Sequence, residues 1–128
     1  MAKTRKMREP MDFTQRIVKA SFRRNGERDE AFRQVIRSIP KGKVSTYGKV
    51  AAASGYPFYH RAVASLLSKE AVLLPWQRVV GAGGEIKVRG DGAAEQRLRL
   101  KMEGVKFRGK LVDMNQFEYI LRSWEAFD

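Results

Sequence analysis

Apolar residues recur along this chain at spacings that separate helix from turn. Phe32, Val35, Ile36 and Ile39 fall at i, i+3, i+4 and i+7, predicting an amphipathic helix that Asp29 opens and Pro40 stops. Upstream, Phe13, Ile17 and Ala20 share one side of a shorter helix that Asp12 can cap. Between the two, Arg23-Arg24-Asn25-Gly26-Glu27-Arg28 reads as a loop with Asn-Gly as its turn signal. Beyond Pro40, Ser45 or Thr46 can cap a short helix from Tyr47 to Ser54, which Gly55 ends. Another helix starts near Pro57 and runs to about Lys69. Tyr59, Val63, Leu66 and Leu67 form its apolar stripe, and Arg61, Ser65 and Ser68 its outward face, with Ala64 at the margin. Two short helices joined by Gly55-Tyr56-Pro57 predict a helix-turn-helix.

The second half alternates apolar runs with glycine turns. Arg78-Val79-Val80 reads as a strand, and Glu85-Ile86-Lys87-Val88 as its antiparallel return across Gly81-Ala82-Gly83-Gly84, together a small wing. The loop Arg89-Gly90-Asp91-Gly92 precedes a helix from Ala93 to Glu103, with Ala94, Leu98 and Met102 on its buried side and Gly104 at its end. Val105 to Val112 suggests a strand. Asp113 and Gln116 then resemble a capping box, opening a terminal helix to Asp128 with Phe117, Ile120, Leu121 and Trp124 at helical spacing. The expected fold is mainly α with a small β-wing, a winged helix-turn-helix with extra terminal helices.

Charge narrows the function. The chain carries 26 Lys+Arg against 14 Asp+Glu, a net +12, which attracts polyanions, nucleic acid foremost. It has no cysteine, which excludes thiolate metal sites and cysteine nucleophiles. With one histidine, no metal site and no cofactor are expected. No apolar run approaches the ~20 residues of a membrane-spanning helix, and residues 1–9 read as a frayed basic tail without a secretory core. A basic helix-turn-helix with a wing predicts a duplex-binding module. The second helix offers alanine and serine outward, which suits close approach in the minor groove better than major-groove readout, with one arginine to reach into the base stack. The competing interpretation is that this face is merely solvated.

From Ile39-Pro40-Lys41-Gly42-Lys43-Val44-Ser45-Thr46-Tyr47-Gly48-Lys49-Val50-Ala51 onward, the sequence strongly resembles the DNA-binding domain of O6-alkylguanine-DNA alkyltransferases. The likeness continues through Arg61-Ala62-Val63, Pro75-Trp76-Gln77-Arg78-Val79-Val80 and Glu103-Gly104, and covers about residues 28 to 106. It implies a winged helix-turn-helix of the alkyltransferase C-terminal type, with a basic tail and helix at 1–27 and a strand/helix extension at 107–128. Where the repair enzymes carry Pro-Cys-His-Arg, this chain reads Pro75-Trp76-Gln77-Arg78. An indole replaces the acceptor thiol, and an amide that is no base at neutral pH replaces the activating histidine. Glu103 matches the acidic end of the relay. Tryptophan for cysteine marks the alkyltransferase-like proteins, which bind alkylated guanine without repairing it and hand it to nucleotide excision repair.

The resemblance assigns roles by position. Tyr47 matches the tyrosine that crowds the target phosphate and turns the nucleotide outward, and Arg61 the finger that fills the vacated stack. Trp76 would floor a base pocket. Arg89 stands where a cation could sense the guanine face, and the Val79-Val80 strand with the Arg89-Gly90 loop would offer backbone groups to the base edge. Lys41, Lys43, Lys49, Lys69 and Ser65 are expected on phosphates, with His60 a bystander or a further phosphate contact. The interval from Arg61 to Trp76 is shorter than in typical repair enzymes, and Glu70 is the position offered for their pocket asparagine. No catalytic residue is expected. The implied partners are duplex DNA bearing O6-alkylguanine and an excision-repair protein, UvrA-type in a bacterium. The protein would act as a monomer, off the membrane, in the cytoplasm and nucleoid, or in a eukaryotic nucleus. The alternative is a winged-helix DNA-binding regulator without lesion recognition.

Overall fold

The computed structural model describes residues 13–123, with side chains from Asn25 onward. A long helix, α1 (Phe13–Arg37), leads into β1 (Ser45–Thr46), α2 (Tyr47–Ala53) and α3 (His60–Lys69). A 3-10 turn over Trp76–Arg78, β2 (Val79–Val80), α4 (Asp91–Met102), β3 (Phe107–Arg108), β4 (Leu111–Val112) and α5 (Met114–Phe117) follow. The architecture is the expected one, mostly helical around a helix-turn-helix formed by α2 and α3.

Local chemistry sets the helix-turn-helix. Of the two possible caps of α2, Thr46 serves: its hydroxyl accepts from the Lys49 N–H at 3.1 Å. At the far end Gly55 adopts φ +91°, so that the Gly55 and Tyr56 amides reach back to the Ala52 and Ala51 carbonyls. α3 buries Val63, Leu66 and Leu67 as its stripe predicts, while Tyr59 stays about half exposed at its head.

Two apolar clusters hold the elements. Phe32, Val35, Ile36 and Ile39 of the α1 region pack with Val50, Val63, Leu66, Leu67 and Val79. Val44, Val80, Leu100, Val105, Val112 and Phe117 form the second. β2 joins them, because adjacent strand residues point to opposite faces: Val79 enters one cluster and Val80 the other. β2 pairs in parallel with β1, Ser45 opposite Val79 and Thr46 opposite Val80.

Four local expectations are corrected. First, α1 runs unbroken through Asn25-Gly26, where a loop was expected. Gly26 costs a helix only ~1 kcal/mol relative to alanine, and an exposed site gives it nothing better to do. The cap at Asp12 and the grouping of Phe13, Ile17 and Ala20 lie outside the described side chains. Second, no wing forms between residues 78–80 and 85–88: β2 pairs with β1, residues 85–88 adopt no strand, and the antiparallel hairpin is β3–β4, Phe107 opposite Val112. Third, α4 buries Gln96 and Leu100, leaving Leu98 54% and Met102 75% exposed. The buried Gln96 amide donates to the Gln77 and Val79 carbonyls at 3.1 and 2.9 Å, which fixes that face inward. Fourth, α5 stops at Phe117, and Asp113 makes no side-chain cap. The chain turns extended: the Val44 N–H donates to the Phe117 carbonyl at 2.9 Å, and the Tyr119 N–H to the Val44 carbonyl at 2.8 Å. Tyr119 and Leu121 pack on the first cluster while Ile120 is 81% exposed. Trp124 lies outside the described residues.

Candidate nucleic-acid interface

β1 delivers Tyr47 to the head of α2, and the β1–β2 pairing brings that head beside the 3-10 turn carrying Trp76. Tyr47 and Trp76 line one hollow of about 270 Å³, completed by Ala64, Leu67 and Ser68 of α3, Ala71 and Val88. Burial pushes the Tyr47 phenol above its usual titration range, so it stays a neutral donor at physiological pH. The guanidinium carbon of Arg99 sits 5.6 Å from the Trp76 ring centroid, a cation over an aromatic face.

α3 presents its small outward face to this hollow. Ala64 and Ser68, one turn apart, contribute to its wall, and Arg61 and Ser65 are exposed on the same side of the helix. Arg61 thus stands one turn from the mouth. The turn before α3 exposes Phe58 by 90% at φ +75°, the left-handed region that an aromatic residue rarely adopts.

The cations expected on phosphates fall into two groups. Lys41 and Lys69 are exposed. Lys43 donates to the Gln116 carbonyl at 3.1 Å, and Lys49 forms an ion pair with Glu118. α5 and the segment after it therefore already touch two expected phosphate contacts. His60 is exposed on the first turn of α3.

Other expected pocket residues lie elsewhere. Val79 and Val80 are fully buried between the two clusters, and the Val79 carbonyl already accepts from Gln96. Neither lines the hollow. Arg89 is exposed beside Val88, and Gly90 caps α4 at φ +62°. Glu70, offered for the pocket asparagine, is instead held at both oxygens by Arg33, at 2.8 and 2.7 Å. The pairing holds its carboxyl below the usual range and ties the end of α3 to α1.

Behind Trp76 lies a network that sequence reasoning did not reach. Glu103 accepts from Gln77 Nε2 at 2.7 Å, from Arg78 Nε at 3.1 Å and from the Gly42 N–H at 3.1 Å. Arg78 also donates to the Ile39 carbonyl at 2.9 Å. Burial alone would raise the Glu103 carboxyl, but the donors and the Arg78 charge outweigh it and hold the group below the usual glutamate value. The Gln77 amide is buried and turned to Glu103. The Gln77 amide supplies no base beside Trp76, and a chain without cysteine has no thiol to accept an alkyl group. Arg78, Gln96 and Arg99 carry no periodic signal; only the departure at Trp76-Gln77 hinted that Glu103 had new partners. Among the described residues, no helix is long and apolar enough to cross a membrane, and no acidic, histidine or cysteine cluster could hold a metal ion.

Comparison with known proteins places the chain in a family. Residues 27–105 match the model of the 6-O-methylguanine DNA methyltransferase, DNA binding domain. A protein named DNA base-flipping protein from Vibrio parahaemolyticus is 45% identical over 74 residues, 56% of this chain and 74% of that one. Alkyltransferase-like protein 1 of Schizosaccharomyces pombe is 40% identical over 85 residues, 61% of this chain and 79% of that one. The crystal structure of S. pombe Atl1 in complex with damaged DNA containing O6-carboxymethylguanine superposes with a TM-score of 0.64 at 30% identity, covering 74% of this chain and 96% of that one.

Proposed function

This chain belongs to the 6-O-methylguanine DNA methyltransferase DNA-binding domain family, and from that premise we propose that it is a non-enzymatic sensor of O6-alkylguanine in duplex DNA. The observation that carries this reading is the hollow that Tyr47 and Trp76 both line beside the small outward side of α3. α3 enters the minor groove, where Ala64, Ser65 and Ser68 allow close backbone approach. Tyr47 crowds the phosphate of the target, which swings outward, and Arg61 stacks into the gap. Extrusion costs a few kcal/mol in lost stacking and pairing, which a planar guanidinium offsets by stacking and donating hydrogen bonds together. The extruded base lies against Trp76, with Arg99 above the indole and Arg89 at the rim. Lys41, Lys43, Lys49 and Lys69 hold phosphates and read no sequence.

Because the base is held and never mended, the complex marks the lesion. Handing it to nucleotide excision repair, through a UvrA-type protein in a bacterium, completes the reading. It acts as a monomer wherever the duplex is, in a nucleoid or a nucleus.

The test is a fluorescence titration of paired duplexes, one carrying O6-methylguanine, at two salt concentrations. The lesion duplex should bind at least about tenfold tighter, ~1.4 kcal/mol. Arg61→Ala should remove most of that preference, whereas Lys41→Ala should weaken both duplexes alike and flatten the salt dependence. Equal affinity for both duplexes, with preference for a particular sequence, would instead identify a DNA-binding regulator without lesion recognition.

A further inference from the structure

On the far side of α4 from the Trp76 hollow lies a second concavity. Arg97 and Arg99 are two positions apart on the helix and so point about 200° apart. Arg99 reaches over Trp76, whereas the Arg97 guanidinium carbon lies 4.2 Å from the Phe107 ring centroid and Arg97 Nη2 donates to the Gly109 carbonyl at 2.9 Å. Arg97 therefore belongs to the seam between α4 and the β3–β4 hairpin. Two hollows meet there. One, of about 400 Å³, has Ile86, Ala93, Ala94 and Leu111 as its apolar walls, with Lys110 at its edge. The other, of about 580 Å³, has Lys101, Lys106 and Phe107. Arg97 lines both, so the two adjoin across its side chain, and the seam they make, apolar at one end and cationic at the other, is the trough.

The charge of this trough is unbalanced. Its one lining carboxylate, Glu85, is paired with Lys87 at 3.5 Å. Arg97, Lys101, Lys106 and Lys110 make no salt bridge among the described residues. Leu98 and Met102, at 54% and 75% exposure, run along the adjacent strip of α4. Phosphates alone have no use for exposed leucine and methionine carbon, and a second copy of a chain at +12 is repelled.

We propose that the trough between α4 and the β3–β4 hairpin docks an acidic segment of another protein, with an apolar side chain of that segment seated between Ile86, Ala94 and Leu111. Its carboxylates meet Arg97, Lys101, Lys106 and Lys110. The proposal rests on the recruitment half of the reading above and gives it a place. Since trough and hollow open on opposite sides of α4, partner and duplex can be held at once.

The probe is a fluorescein-labelled synthetic peptide of alternating glutamate and leucine, titrated against the full chain by polarisation, with polyglutamate of equal length as control. The alternating peptide should bind at least tenfold tighter than polyglutamate. Lys101→Gln/Lys106→Gln and, separately, Leu111→Ser should each weaken it about tenfold while lesion-duplex affinity changes by less than about twofold. Peptide binding should survive saturation of the protein with lesion duplex. Equal binding of polyglutamate would reduce the trough to a diffuse cationic field and overturn the proposal. So would competition between duplex and peptide, a parallel loss of duplex affinity in the lysine variant, or a concentration-dependent dimer that Leu111→Ser dissolves. Peptide binding without any lesion preference would leave the docking site standing and remove the sensor reading.

Discussion

Glu103 shows how one changed neighbour alters a residue's job. Hydrogen-bonded by Gln77, Arg78 and Gly42 at once, it staples the turn before β1 to the segment that carries Trp76. Restoring the thiol alone therefore does not restore chemistry. Trp76→Cys should stay unlabelled after incubation with a duplex carrying radiolabelled O6-methylguanine, because Gln77 supplies no base; label on that variant would refute the argument. Glu103 also gives stability a pH dependence. Its carboxyl titrates below the usual 4.5 in the fold, so the contribution is complete above the unfolded value and is lost as pH falls through the lowered folded one. Glu103→Gln should cost about 2–3 kcal/mol at neutral pH, and its deficit should shrink on acidification; chemical denaturation at several pH values reads both.

At the scale of elements, the sequence was legible where apolar spacing and end signals coincide. The stripe of Phe32, Val35, Ile36 and Ile39, the Thr46 cap and the Gly55 stop all sit where the spacing predicts. It was illegible where two periods fit the same letters. Phe117, Ile120 and Leu121 fit a helix, but Tyr119 and Leu121 fit an extended segment, and bonding to Val44 decides for the second beyond Phe117. In α4 the spacing of Ala94, Leu98 and Met102 pointed to the wrong face, because what buries that helix is an amide, Gln96, whose partners are distant carbonyls. The hollow was legible only as the pair Tyr47 and Trp76; its Ala71 and Val88 walls depend on how the loops close. The turn between α2 and α3 shows a local conflict, with Phe58 held at positive φ in water. Phe58→Gly should raise the melting temperature, by up to about 1 kcal/mol of stability after the added unfolded-state freedom is subtracted; a lower Tm would mean the ring has a stabilising contact.

Across the whole molecule, the net charge of +12 hides an internal competition. Glu118, carried on the extended segment after α5, occupies Lys49, and the Gln116 carbonyl occupies Lys43. A duplex that uses these lysines must displace them. Glu118→Gln should therefore tighten lesion and undamaged duplexes alike, by a few-fold at low salt, and leave their ratio unchanged; the exposed pair is worth no more than ~1 kcal/mol. A change in the ratio would place Glu118 in base recognition. The direction follows from the fold: a carboxylate at a cation moderates affinity for every duplex and discriminates none.

β2 has a consequence for what the hollow can hold. Val79 and Val80 are anchored in separate apolar clusters, and the three residues before them carry Trp76. Shifting the backbone beneath the indole would drag both valines from close-packed surroundings, at the expense of contacts on either flank. The floor of the socket is accordingly set when the polypeptide folds, so on the proposed reading a bulky adduct would have to leave through the open rim.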